Sequence, residues 1–141
     1  MNPMTTDELI ARLEGLEGPC RETDAMVAVA FFPRNVTADD SIYAKVPTRH
    51  DKCELGTFWK ISRSGMSLHT ADRYTESLDA ALTLVPEGWR VYSLQQQNDG
   101  KWFAGLDQFR GGGVVYSQHY IPHPAIASCI ASLKARESEH D

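Results

Sequence analysis

The run Tyr74-Thr75-Glu76-Ser77-Leu78-Asp79-Ala80-Ala81-Leu82-Thr83-Leu84-Val85-Pro86-Glu87-Gly88-Trp89 constrains this chain most. Thr75 or Ser77 can accept a hydrogen bond from a free backbone N–H and so start a helix. Leu78, Ala81, Leu82 and Val85 share one face at helical spacing. Pro86 lacks the N–H a helix needs to continue, and Gly88 supplies the permissive backbone for a turn. Trp89 then opens a strand. A helix, a stop and a strand in so short a stretch require a fold that mixes α and β.

The rest of the chain reads in the same terms. Thr5 and Glu8 have capping-box spacing ahead of an apolar face of Leu9, Ile10, Leu13 and Leu16, which Gly15, Gly18 and Pro19 stop. A second helix is predicted from Arg21 to Phe32, with Glu22 and Asp24 in the first turn, where the helix dipole favours acids. Strands are predicted at Ser41–Val46, Gly56–Arg63, Trp89–Gln97, Lys101–Leu106 and Val114–Ile121. Met66–Tyr74 is an ambiguous connection, with room for a short strand at its start. On Trp89–Gln97, strict alternation puts Trp89, Val91 and Ser93 on one face and Arg90, Tyr92 and Leu94 on the other. Asn98-Asp99-Gly100 is a hairpin signal, because Asp-Gly tolerates positive φ. Pro124 suits the first position of a last helix faced by Ile126, Cys129, Ile130 and Leu133. Residues 135–141 read as a frayed, charged tail. The fold class expected is α+β. It is a single domain over residues 1–141, a three-layer α/β/α sandwich with a mostly antiparallel meander sheet and about four helices.

At 141 residues the chain can bury a core without staples. Its formal charge of −5 argues against nonspecific nucleic-acid binding and against an anionic membrane surface. No apolar stretch approaches the roughly 20 residues of a membrane span. No basic region followed by an apolar one marks a signal peptide. Cys20, Cys53 and Cys129 are odd in number and widely spaced, which predicts reduced thiols in a cytoplasm.

Three segments carry a family resemblance. Leu9-Ile10-Ala11-Arg12-Leu13-Glu14, with Gly18-Pro19 and Arg21-Glu22-Thr23-Asp24-Ala25, resembles the start of the phage ABA sandwich domain family of small phage and prophage proteins. The Tyr74–Trp89 run resembles its central motif. Pro124-Ala125-Ile126-Ala127-Ser128-Cys129-Ile130-Ala131-Ser132-Leu133-Lys134-Ala135-Arg136 resembles its C-terminal helix. The resemblance implies helices on both faces of a sheet and a phage setting. No catalytic residue is carried over with it. Cys20 departs from the acidic or polar cap of relatives, and Phe31 to Arg73 has no counterpart, so individual function is expected in that stretch.

No nucleophile elbow, P-loop or dinucleotide fingerprint is present. His50 with Cys53, and His119 with His123, have metal-ligand spacing, but zinc needs three or four convergent ligands, so no metal is expected. Paired His-x-Ser/Thr motifs for phosphoester cleavage are absent, and no cofactor is implied. Arginine forks suit phosphates and aromatic faces stack on bases. The candidate ligand-binding residues are therefore Arg49, Trp59, Arg63, His69, Arg73, Tyr74, Arg90 and Arg110, with Gly111 and Gly112 as a backbone N–H cradle.

The function expected is a nonenzymatic phage or prophage accessory protein in the bacterial cytoplasm. It would sequester a small anionic nucleotide signal of host antiviral immunity, and would form a homo-oligomer, because pockets favour interfaces. The alternatives are a module that inhibits or recruits a host or phage protein, and a phosphodiesterase that cleaves a nucleotide signal.

Overall fold

The computed structural model describes residues 5–31, 43–45, 56–62, 65–110, 112–117 and 121–138. Helix α1 is Thr6–Glu14 and α2 is Arg21–Phe31. Strands β1 (Tyr43–Lys45), β2 (Thr57–Ser62) and β3 (Gly65–Thr70) follow. Helix α3 (Leu78–Leu82) leads to β4 (Trp89–Gln96), β5 (Trp102–Gln108) and β6 (Val114–Tyr116). Helix α4 is Pro124–Ser138. The class is α+β, with four helices among the described residues.

The strands make two antiparallel three-stranded meanders, β1-β2-β3 and β4-β5-β6, where one sheet was expected. From Ala71 to Gly88 the chain turns, runs through α3 and turns again, and β3 and β4 are not paired with each other.

Local expectations hold at several points. Thr5 caps α1 and accepts from the Glu8 N–H at 3.1 Å. Ser77 caps α3 and accepts from the Ala80 N–H at 3.2 Å. Gly88 and Gly100 both take φ of 88°, which their turns require. Several boundaries move: α3 ends at Leu82 rather than at Pro86, and β5 runs on to Gln108. Met66–Thr70, left ambiguous, lies within β3, which pairs along its whole length with β2. Of the last predicted strand, β6 covers Val114–Tyr116, the Ser117 N–H donates to the Ala104 carbonyl, and Ile121 bridges to Trp102 among the described residues. A tail is expected from residue 135, but α4 continues to Ser138 and Ala135 is fully buried.

The alternation expected for β4 is also broken. A bulge between Val91 and Ser93 inserts Tyr92 and reverses the phase. Trp89 and Leu94 both face the core, while Ser93 sits opposite Gly105 on the outer face.

Helix α4 is the centre of the molecule. Residues Ala125 through Leu133 are all buried, so its apolar surface runs round the whole helix rather than along a stripe. Ala127, Ala131, Ser128 and Ser132 are small enough to let α1, α3 and β5 approach from different sides. Leu9, Ile10 and Leu13 of α1 join Ile126, Ile130, Leu133, Leu106 and Trp89 in one core. Helix α2 packs on α1 and on β1 and β2, where Ala28, Phe58 and Ala71 make a smaller second core. Helix α4 lies against the inner face of β4-β5-β6. No helix among the described residues covers the opposite face, where Tyr92, Val114 and Tyr116 are exposed.

Candidate functional site

A cleft of about 300 Å³ opens between α2 and the inner face of β2-β3. Ala28 and Phe31 line it from the helix, and Phe58, Lys60, His69 and Thr70 from the strands. Ala71, Asp72 and Tyr74 close one end. The β2-β3 register builds the sheet wall. Phe58 stands directly opposite His69, and Lys60 opposite Ser67, so these side chains share one face. The Phe58 and His69 ring centres are 5.9 Å apart, and His69 Nε2 lies 2.8 Å from Ser67 Oγ.

The closed end is held by a buried polar knot. Asp24 is 1% exposed. One of its carboxylate oxygens accepts from both the N–H and the hydroxyl of Thr75, each at 2.8 Å. The other accepts from Arg21 Nη1 at 2.7 Å. The same guanidinium donates to the carbonyls of Ala71 at 2.7 Å and Asp72 at 3.3 Å. Gly56 makes this approach workable, since a Cβ there would lie 2.6 Å from the Arg21 guanidinium. Thr75 Oγ1 also accepts from the Cys20 N–H at 2.9 Å. Asp24 does sit in the first turn of α2, as expected, and Ser77 rather than Thr75 caps α3. Asp24 and Thr75 are in addition partners across the chain, and they fix the turn that presents Asp72 and Tyr74.

Tyr74 is half-buried. Burial, and then the negative charge of Asp72, push its phenol above the usual tyrosine value. At neutral pH it is therefore an O–H donor. The cleft thus offers aromatic and aliphatic walls, one ammonium, one carboxylate, one imidazole and one phenol. The exposed lining is more polar than apolar, so these polar groups dominate what the cleft can recognise. Its volume is at the small end of the roughly 300–1,000 Å³ range of small-molecule sites.

Of the residues expected to bind ligand, His69 and Tyr74 come together here. Trp59 does not, because it pairs with Leu68 on the opposite face of the sheet. Arg73 is exposed and pairs with Glu76 at 3.3 Å. Arg90 lies on the second sheet, donates to Asp107 at 2.9 Å and stacks over Phe109 at 5.4 Å. Arg110, exposed, and Gly112, with φ of 71°, follow Phe109 in that region. Arg49, Arg63 and Gly111 lie outside the described residues, as do His50, Cys53 and His119. Lys60, Phe31, Phe58 and Asp72 line the cleft but were not among the candidate ligand-binding residues. The alternation of Phe58 and Lys60 on one strand was available as a signal, but their pairing with His69 and Ser67 depends on a hairpin that was left undecided. Among the described residues no three His, Cys, Asp or Glu side chains converge, and no helix is long and apolar enough to cross a membrane.

The chain matches no protein-family model, no curated protein and no solved structure.

Proposed function

We propose that this is a binding protein whose α2/β2-β3 cleft takes a small planar anion of the mononucleotide class. One observation carries the reading: the cleft juxtaposes the aromatic groups Phe31, Phe58 and Tyr74 with Lys60 and His69. A base or similar ring can stack on the aromatic walls, and the ammonium and imidazole can meet a phosphate. Asp72 limits the charge the site accepts, which favours a singly phosphorylated ligand over a polyphosphate. The volume favours one base over a dinucleotide. The resemblance of Tyr74–Trp89 to phage ABA sandwich proteins supplies the setting, a phage accessory protein that sequesters a host nucleotide signal in the bacterial cytoplasm.

The test is isothermal calorimetry with linear and cyclic nucleotides against the full chain. The expected result is one site per chain, weakened at least 10-fold by Lys60→Met, a loss of about 1.4 kcal/mol. Absence of heat and of any thermal shift across the whole panel would sink the proposal. Product analysis of the same mixtures distinguishes sequestration from phosphodiester cleavage.

A further inference from the structure

The closed end of the cleft carries two groups whose hydrogen-bonding capacity the fold leaves unused. Asp72 is held by its main chain, whose carbonyl accepts from Arg21 Nη1 at 3.3 Å and from the Tyr74 N–H at 2.9 Å. Among the described residues no side chain donates to its carboxylate. The Tyr74 phenol also makes no hydrogen bond among the described residues. Ala71 and Thr75, on either side, are tied to Arg21 and Asp24, so the backbone under both groups is fixed. The charge of Asp72 acts on the Tyr74 phenol, so the two groups are near neighbours. The end wall therefore offers two acceptor oxygens beside one O–H donor.

The strand register sets the order of the other groups. Ala71 stands next to Gly56, whose carbonyl accepts from the Ala71 N–H at 2.7 Å. On the same face, Phe58 and His69 form the next row, and Lys60 and Ser67 the one after. A rise of about 3.3 Å per residue puts the Lys60 row about 13 Å from the Ala71 row. Away from its closed end, the cleft thus runs from a hydrogen-bonding wall to an aromatic row to a cation. A mononucleotide has the same order of ring edge, ring face and phosphate.

The end wall selects among bases. A carboxylate accepts and cannot donate, so it needs two donors side by side. The pairing edge of guanine presents the acceptor O6 and then two adjacent donors, N1–H and the 2-amino group. Adenine sets the acceptor N1 beside its one donor group. Cytosine sets two acceptors beside one, and uracil flanks its single N–H with two carbonyls. Each of these three leaves a carboxylate oxygen facing a lone pair or no donor at all. We propose that the cleft reads its ligand as a guanine nucleotide, with Asp72 accepting from N1–H and the 2-amino group, Tyr74 donating to O6, and the phosphate toward Lys60. The inference rests on the mononucleotide reading above and adds the identity of the ring.

The test is isothermal calorimetry of GMP, IMP, AMP, CMP and UMP on the full chain and on Asp72→Asn. The expected result is GMP bound about 30-fold more tightly than AMP, the discrimination of one bidentate base contact. IMP, which lacks the 2-amino donor, should fall between them. In Asp72→Asn, GMP should weaken about 30-fold and its advantage over AMP should vanish. The urea midpoint should stay where it is, because the Asp72 side chain is exposed and its fold contacts are main-chain. Glu76→Gln, which changes an exposed acid on the same segment that pairs with Arg73, should leave the order of nucleotides intact. Nucleotides that bind with no preference for guanine overturn this inference and leave the mononucleotide reading standing. A preference that survives Asp72→Asn, or one that Glu76→Gln abolishes equally, also overturns it. Absence of binding by all five overturns both.

Discussion

Replacing Asp24 tests how the cleft is held. In Asp24→Ala, the Thr75 N–H, the Thr75 hydroxyl and the Arg21 guanidinium each lose an acceptor at 2.7–2.8 Å. Removing one partner of a buried ion pair costs about 3–5 kcal/mol. Arg21 keeps 22% exposure and two carbonyl acceptors, which lowers that figure, while the buried Thr75 donors raise it. The expected loss is about 4 kcal/mol, a large share of the roughly 5–15 kcal/mol that holds a domain folded. Asp24→Asn keeps a carbonyl for Thr75 but puts an amide N–H, which cannot accept, where Arg21 had its charge-assisted acceptor, so about 2 kcal/mol is expected. Urea unfolding reads both. With a slope of about 2 kcal/mol per molar, the midpoint falls by about 2 M for alanine and about 1 M for asparagine. The Asp72–Tyr74 turn loosens with the knot, so ligand affinity of the asparagine variant should fall as well. An alanine midpoint within about 0.5 M of wild type would refute the reasoning. So would asparagine proving as damaging as alanine. Should the alanine variant fail to fold, the asparagine midpoint still decides.

Tyr74 gives a pH dependence. Its phenol is raised in the folded chain by burial and then by Asp72, so its contribution to stability is present below the ordinary tyrosine value near 10 and is lost as pH rises through the higher folded value. Spectrophotometric titration should show one late-ionising phenol that disappears in Tyr74→Phe. The thiols should differ in reactivity. Burial raises Cys20, but hydrogen bonding with Thr23 and the charge of Arg12 outweigh it, and the net shift is downward. Cys129 is raised by burial. Site-resolved alkylation of the folded chain should therefore modify Cys20 faster than an unperturbed thiol and leave Cys129 untouched, and Arg12→Met should slow Cys20. Ser132 is fully buried, and its hydroxyl has no hydrogen-bond partner among the described residues. Ser132→Ala should stabilise the protein by about 1 kcal/mol, measured as a raised urea midpoint.

Features that depend on neighbours in sequence were legible. Ser77 and Gly88 act where the Tyr74–Trp89 run places them, and Asp99-Gly100 turns the β4-β5 hairpin, whereas α3 already ends at Leu82, ahead of the expected stop at Pro86. Features that depend on distant partners were not. Asp24 has the same local surroundings whether it serves the helix dipole or a hydroxyl 51 positions away. The β4 bulge hides behind an unbroken alternation, because one inserted residue leaves no compositional mark. The separation into two sheets also escaped, since strand count and turn spacing say nothing about which strand ends meet. In the candidate site, His69 and Tyr74 stood out as residue types, whereas Phe31, Phe58 and Lys60 matter only because α2 crosses the β2-β3 face.

The position of α4 at the middle of the core has a consequence for the order of assembly. One of its helical partners, α1, ends at Glu14, and α4 begins at Pro124, so the contact closes a loop of about 110 residues. During synthesis Leu9, Ile10 and Leu13 emerge early, and their cover is incomplete until α4 arrives. The β4-β5-β6 meander likewise has no inner layer until then. Each local unit forms on its own schedule, but cooperative closure comes last. Nascent chains halted before Pro124 should therefore be protease-sensitive and chaperone-bound, and the core should close in a single late step.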